Sequence, residues 1–393
     1  MRLAGKTGAD GARHEERIAT DPAGGLPAAA VATGANRKAG AVMGNEADGQ
    51  KLRIVVSRRT VLRAAGAGVG ALALGGALPA LPSQAATFVK GADVSWLPQM
   101  EANGSRFYNS SGAEQDVLAI LKGYGINAIR LRTWVVPSSD PVNGHCSQAE
   151  TVAMALRCKN AGLPVDIDFH FGDTWNDEGH QNPPASWASM SYSQMLDAMY
   201  HYVWNVMNDL RSSGVTPSWV QIGNETNLGI CLPTGGLASN PGQMTGLLNA
   251  AYAMVKQVFP STPVLIHLAS PQKVSVIENF LDTYKARGGN WDITAFSSYG
   301  SGSAISGIIS DMATFQSRYG KPVMQVEFGG AENNPGRTQA DLQAYIKGVK
   351  GFGGLGVFYW EPEAYWPFTS YGMAAWNPAT REPTAALNGF LNA

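Results

Sequence analysis

Two glutamates carry the chemistry that this sequence can most directly perform. Glu225 closes the run Trp219, Val220, Gln221, Ile222, Gly223, Asn224, Glu225, and Glu327 closes Pro322, Val323, Met324, Gln325, Val326, Glu327. Each run is nearly continuous in apolar residues, the pattern of a parallel strand buried on both faces, whose polar C-terminal end emerges at a barrel mouth. Taken alone, an Asn-Glu pair reads equally well as a cap opening the next helix; a second carboxylate in the same setting turns the reading toward catalysis. One carboxylic acid to protonate a leaving oxygen and one carboxylate to attack, or to activate water, is the equipment for cleaving a glycosidic bond. Asn224 is placed to hydrogen-bond a sugar hydroxyl beside the reacting carbon. Glu327 must stay ionised, and either Arg130 or Arg132, together with the Tyr299 hydroxyl, is expected to supply the donors that favour its anion. Arg130 and Arg132 alternate along one strand, so both can point inward, with a structural ion pair as the plain alternative.

Positioning such a pair requires an alternation of strands and helices, and the chain supplies one. Strand-like runs occur at residues 88–95, 126–133, 164–171, 219–224, 263–268, 292–298, 322–327 and 356–360. Helical patterns separate them, among them 114–124, 148–160 and the long amphipathic stretch 192–212. Eight such units predict the α/β class, a single closed (β/α)8 TIM barrel with the active site at its C-terminal face. The competitor is an open doubly wound sheet, which the missing Gly-rich phosphate loop after the first strand disfavours. Glu225 then ends the fourth strand and Glu327 the seventh, and they approach from opposite sides of one mouth. Asp93, Arg130, Arg132, Asp168, His170, His267, Ser298, Tyr299 and Trp360 join them at strand ends.

Asp166, Asp168 and His170 share one strand face, which suits a metal or a barrel-lining hydrogen-bond network; lacking a second His-rich segment, we expect the network, with no metal and no cofactor. No G-x-S-x-G elbow is present, against a serine hydrolase. The loop 172–187 is long, polar and bracketed by Trp175 and Trp187, expected to stack on sugar rings. Trp360 is expected to floor the reacting subsite, with Glu361 structural.

Composition narrows the partners. A formal net charge of -1, with 15% charged residues, excludes nucleic acid as an expected partner and gives no attraction to anionic surfaces. Ten Trp suit sugar stacking, most of them being core. Three Cys exclude a disulfide scaffold; Cys158 reads as a buried small hydrophobe, leaving Cys146 and Cys231 as the expected pair. Residues 1–56 lack apolar periodicity and read as disordered or as preceding the true start, for which Met43 is a candidate. Arg58-Arg59 before the Ala/Gly/Leu run 64–80 reads as a twin-arginine export signal spanning 57–85, with a membrane anchor as the alternative. The small residues Ser83 and Ala85 place cleavage there, so the mature domain is 86–393, secreted and free of membrane.

These residues resemble family 53 of the glycoside hydrolases, the arabinogalactan endo-β-1,4-galactanases. The resemblance covers nearly all of the mature chain and rests on several segments: Gly91-Ala92-Asp93-Val94-Ser95; Arg130-Leu131-Arg132-Thr133-Trp134; Asp168-Phe169-His170-Phe171-Gly172-Asp173-Thr174-Trp175 with Pro183-Pro184; Gly223-Asn224-Glu225-Thr226-Asn227; and Tyr359-Trp360-Glu361-Pro362. It implies a retaining mechanism with Glu225 as acid/base and Glu327 as nucleophile, galactan of plant cell walls as substrate, and a monomer. Substrate contacts are expected from Asn224, Arg130, Arg132, Asp168, His170, Trp175, Trp187, His267, Tyr299 and Trp360. Two loops depart from the family pattern. Ser298-Tyr299-Gly300-Ser301-Gly302 stands where the family carries Tyr-Tyr-Pro and an aromatic, and Phe328-Gly329-Gly330 where it carries a Thr-Ala-Tyr-like step. Both would line the cleft and bear on the choice of sugar, so another β-linked polysaccharide or oligosaccharide is the alternative substrate, and a non-catalytic carbohydrate-binding barrel the alternative class. Some members bind calcium in a late loop; Glu332, Asn333 and Asn334 are the nearest cluster here and too sparse to assign.

Overall fold

The computed structural model describes residues 87–391 and 393. The expected export signal over 57–85 and the segment before it fall outside these residues. Eight parallel strands close on themselves: β1 (Val89–Asp93), β2 (Ala128–Thr133), β3 (Val165–Phe169), β4 (Trp219–Ile222), β5 (Val264–Ala269), β6 (Ile293–Ser297), β7 (Val323–Phe328) and β8 (Gly356–Trp360), with β8 returning to pair with β1. This is the expected (β/α)8 barrel, and strand limits agree with the sequence reading to within a few residues. Helices between the strands include α1 (Leu97–Ala102), α2 (Val117–Gly123), α3 (Gln148–Asn160), α4 (Tyr192–Ser212), α5 (Pro241–Val258), α6 (Val274–Ala286), α7 (Ala304–Tyr319) and α8 (Pro335–Gly351).

Local chemistry sets where helices begin. Ser147 and Ser191 each form a reciprocal capping box, with Glu150 and Gln194, at the starts of α3 and α4. Asp116 caps α2, and Asn334 caps α8 by accepting from the Arg337 N–H, which puts that Asn to structural use.

The inward faces of the strands change character along the barrel axis. Val89, Ala128, Leu265, Ile293, Ala295, Met324, Val326 and Phe358 form a dry apolar plug. Above it come Asp93, Arg130, Asp168, Gln221, His267, Ser297 and Glu327, all buried. Gly91 is required by this plug, because a Cβ there would stand 2.1 Å from the Phe358 ring. A bulge in β7 does the rest. Ala295 pairs with Met324 but Ser297 pairs with Glu327, so three residues of β7 oppose two of β6. Strict alternation would send Met324 and Glu327 to opposite faces; the extra residue turns Glu327 to the mouth.

The expected Cys146–Cys231 bridge is not formed. All three cysteines are free and buried, with the Cys146 thiol against the Ser95 carbonyl and the Cys231 thiol against that of Phe171. The expectation failed because both residues follow strands yet pack inward beneath different loops.

Candidate active site

Arg130 is the hub. Fully buried, its Nη1 donates to Asp93 Oδ2 (2.9 Å) and meets Glu327 Oε1 (2.8 Å), while Nη2 donates to Asp168 Oδ2 (2.9 Å), Gln221 Oε1 (3.1 Å) and Asn224 Oδ1 (2.9 Å). Burial disfavours the guanidinium charge, but Asp168, Glu327 and Asp93 around it hold the proton firmly. His170 Nε2 lies 2.9 Å from Asp168 Oδ2, so of the row read from the sequence as a network Asp168 and His170 are joined, while both carboxylate oxygens of Asp166 lack a partner among the described residues. Among the described residues no group of three or more His, Cys, Asp or Glu is arranged to hold a metal.

Glu327 is reached by two donors. The Tyr299 hydroxyl, on a ring 38% exposed at the mouth, donates to its Oε2 (2.8 Å), and Arg130 serves Oε1. Burial pushes its pKa up, while Arg130 and Tyr299 pull it back, leaving it raised. Among the described residues no cation pairs with Glu225. Its Oε1 accepts from Ser297 Oγ and its Oε2 from the Glu178 backbone N–H (3.1 Å). Burial first and the charge of Glu327 second push its pKa up to about 7. Ser297 thus hydrogen-bonds one carboxylate while its backbone is in register with the other, which puts both around a single point of the mouth. The environments separate the two proton affinities in the sense that acid/nucleophile chemistry requires.

Backbone geometry presents Glu225. It follows the end of β4 in the left-handed region, φ 46° and ψ 51°, an uncommon state for a non-glycine residue and one that concentrates at functional sites. Asn224 is anchored by the protein: Oδ1 accepts from Arg130 and from Gln221 Nε2 (3.2 Å), and one N–H of Nδ2 donates to the Asn176 carbonyl (2.9 Å). His267 Nδ1 lies 2.9 Å from Asn224 Oδ1; burial, then the nearby Arg130, hold its pKa well below the usual imidazole value.

Aromatic rings form one wall. Trp360 and Trp175 are half-buried with centroids 5.9 Å apart, and Tyr371 packs edge-on against Trp360 at 4.5 Å. Two sequence expectations need correction here. Arg132, expected among the substrate contacts, is 1% exposed and leaves Glu327 to Arg130: its guanidinium sits over the rings of Trp175 (4.5 Å), Trp96 (5.0 Å) and Trp134 (5.3 Å) and pairs with Glu361. It shares an inward face with Arg130 but lies two residues nearer the mouth, where the aromatic cage takes it. Trp187 is not a stacking platform, being 4% exposed with its ring edge-on to Tyr202 of α4 at 6.2 Å. Residues that sequence reasoning passed over are Ser297, Gln181, Gln221, Tyr371 and the N–H of Glu178. Gln181 donates to the backbone carbonyls of Asn224 (2.7 Å), Glu225 (3.2 Å) and Asp177 (2.8 Å). Gln221 lies two residues before the Gly-Asn-Glu step on the inward face of β4, a parity signal that could have found it.

Known proteins resemble this chain. The profile of Glycosyl hydrolase family 53 matches residues 89–334. A probable arabinogalactan endo-beta-1,4-galactanase A of Aspergillus fumigatus is 30% identical over 308 residues, 71% of this chain and 85% of that protein. An endo-beta-1,4-galactanase of Bacillus subtilis is 29% identical over 306 residues, 70% of each. Among solved structures, the family 53 catalytic domain of Ignisphaera aggregans superposes with a TM-score of 0.71 at 28% identity, covering 79% of this chain and 97% of that one. With the profile spanning more than half of its length and the paired glutamates at the mouth of the barrel, the chain belongs to glycosyl hydrolase family 53.

Proposed function

We propose that the protein is a secreted endo-β-1,4-galactanase that hydrolyses galactan or arabinogalactan with retention of configuration. The observation that carries this reading is the unequal treatment of two carboxyl groups around Ser297. Glu225, raised to about 7, keeps a proton for the leaving glycosidic oxygen, while Glu327, held by Arg130 and Tyr299, presents a carboxylate to the anomeric carbon. In the first step Glu327 bonds to C1, the C1–O bond to the leaving sugar breaks, and the Glu225 proton passes to that oxygen. In the second, Glu225, now a base, removes a proton from water, which attacks C1 and releases Glu327. Trp360 and Trp175 supply the apolar surface for pyranose rings, and Asn224, Asp168, His170 and His267 line the polar wall as contacts or their supports. The galactan assignment draws on the named relatives. Export through the Arg58-Arg59 signal, cleavage near Ala86 and a monomeric mature enzyme complete the proposal.

A panel of purified galactan, mannan and xylan, with product size followed over time, tests it. Mid-length fragments from galactan early in the reaction are expected; exclusive attack on another polymer overturns the substrate. Proton NMR of the first-formed product should show the β-anomer, and the α-anomer would refute retention. N-terminal sequencing of exported protein checks the cleavage site.

A further inference from the structure

Glu225 is held in a left-handed backbone state with no cation at its carboxyl, so something else must fix its aim. The strand end itself is short, four residues, and Glu225 opens a 3-10 turn rather than a helix. Ser297 donates to its Oε1 and its own N–H donates to His267 Nδ1 (3.3 Å); the rest of its surroundings are the loop after β3. Gln181 is 1% exposed, and its amide nitrogen reaches the carbonyl oxygens of Asn224, Glu225 and Asp177 at 2.7, 3.2 and 2.8 Å. Two amide hydrogens thus serve three acceptors, two of them the peptides flanking Glu225. From the same loop the Glu178 N–H donates to Glu225 Oε2 at 3.1 Å, and the Asn176 carbonyl accepts from Asn224 Nδ2 at 2.9 Å. The loop is tied down on two sides: the Leu232 N–H donates to the Gln181 carbonyl at 2.7 Å, and Lys273 Nζ, before α6, meets Glu178 Oε2 at 2.8 Å.

We propose that Gln181 is the positioning residue of the acid/base: with the Glu178 N–H, it locks the Asn224 and Glu225 peptides so that the Glu225 carboxyl points at the leaving oxygen. Gln181 touches no reacting atom. Rotation of either flanking peptide would carry the carboxyl away from Ser297 and from its proton-delivery line, which is why a side chain that satisfies only backbone carbonyls governs a proton transfer. The inference rests on the reading of Glu225 as general acid and not on the identity of the sugar.

Acid positioning has a signature that general structural damage lacks. A leaving group that departs as a stable anion needs no proton, so loss of aim is silent with it and severe with a basic leaving group. The experiment measures kcat/KM for aryl β-disaccharides bearing 2,4-dinitrophenol or 4-methoxyphenol, in the wild type, Gln181→Met and Lys273→Met. Gln181→Met is expected to lose about 100-fold with methoxyphenol and less than about 3-fold with dinitrophenol. Lys273→Met, which removes only a half-exposed ion pair, is expected to lose about 3-fold with methoxyphenol alone. Melting temperatures establish that each variant is folded; should Gln181→Met not fold, the Lys273→Met comparison decides. Equal losses on both substrates, or none on either, in the folded variants would overturn the proposal. The disaccharide is whichever β-linked one the wild type cleaves, so a wrong sugar sinks the galactan reading and leaves this test standing. Failure to cleave any aryl β-glycoside overturns both.

Discussion

A carboxylic acid can deliver a proton only while it holds one, and Glu225 meets that condition up to about pH 7 because burial and the neighbouring Glu327 charge disfavour its anion. Glu327 must be ionised at the same pH, so kcat/KM should rise on the acid side as Glu327 deprotonates and fall tenfold per unit above about 7 as Glu225 does. Ser297 donates to the Glu225 anion, and its loss raises the proton affinity further. Ser297→Ala should therefore move the alkaline limb to higher pH, and a limb that stays put would mean Glu225 is not the group being titrated. Glu225→Gln and Glu327→Gln should each keep the melting temperature within a few degrees and lower turnover by at least about 100-fold; full activity in either removes it from the mechanism. At this scale the sequence exposes the charged groups at strand ends, Glu225, Glu327 and Arg130, and the neutral hydroxyl of Tyr299 just beyond one. It hides Arg132, whose parity matches that of Arg130 but whose partner is a cage of three indoles gathered from separate segments. It also hides Gln181 and Ser297, whose partners only the closed barrel supplies.

Elements were legible where a period repeats. Eight apolar runs and the helical patterns between them locate the barrel strands closely because each strand is buried on both faces. What periodicity cannot show is a break in itself. The bulge that turns Glu327 inward occurs within the run Gln325-Val326-Glu327, where nothing in the residue types marks the extra residue, and Trp187 sits at the end of a polar loop that folds it back against α4. The step after β7 shows how tightly the loops are fitted. A Cβ on Gly329 would stand 2.8 Å from the Tyr371 hydroxyl and 3.0 Å from the Tyr299 ring, whose hydroxyl donates to Glu327. Gly329→Ala should therefore push Tyr299 off Glu327. Steady-state kinetics should show kcat/KM down about 10-fold, the scale of overpacking by about 1–3 kcal/mol. Unchanged kinetics would show that Tyr371 yields instead and that Tyr299 is not held by this contact.

Over the whole molecule, the polar layer above the apolar plug sets how stability depends on pH. Asp166 is buried with neither carboxylate oxygen hydrogen-bonded among the described residues, and burial pushes its pKa up to about 7. Burial likewise raises Glu225 and Glu361 to about 7, Glu327 above its ordinary value, and Glu363, beside Glu361, well above. A carboxyl whose folded pKa exceeds its unfolded one favours the fold when protonated, and that contribution is full below about pH 4 and lost as pH rises through the folded value. Asp116, Glu150 and Asp168 are shifted the other way, but they are ionised in both states above about pH 5 and add no slope there. His267, held neutral by burial, opposes the trend, since its unfolded form takes up a proton below about pH 6.5. Five raised carboxyls against one imidazole leave the sign clear: the melting temperature should fall between pH 5.5 and pH 8. Each raised group adds up to about 1.4 kcal/mol per pH unit across its own window. Asp166→Asn replaces a carboxyl that Arg130 compensates only in part with a neutral group of the same shape, so it should recover up to about 4 kcal/mol at pH 8 and about 1 kcal/mol at pH 4.5. A melting temperature that rises across this window, or a variant whose slope matches the wild type, would show that Asp166 is ionised in the fold and that Arg130 offsets its burial.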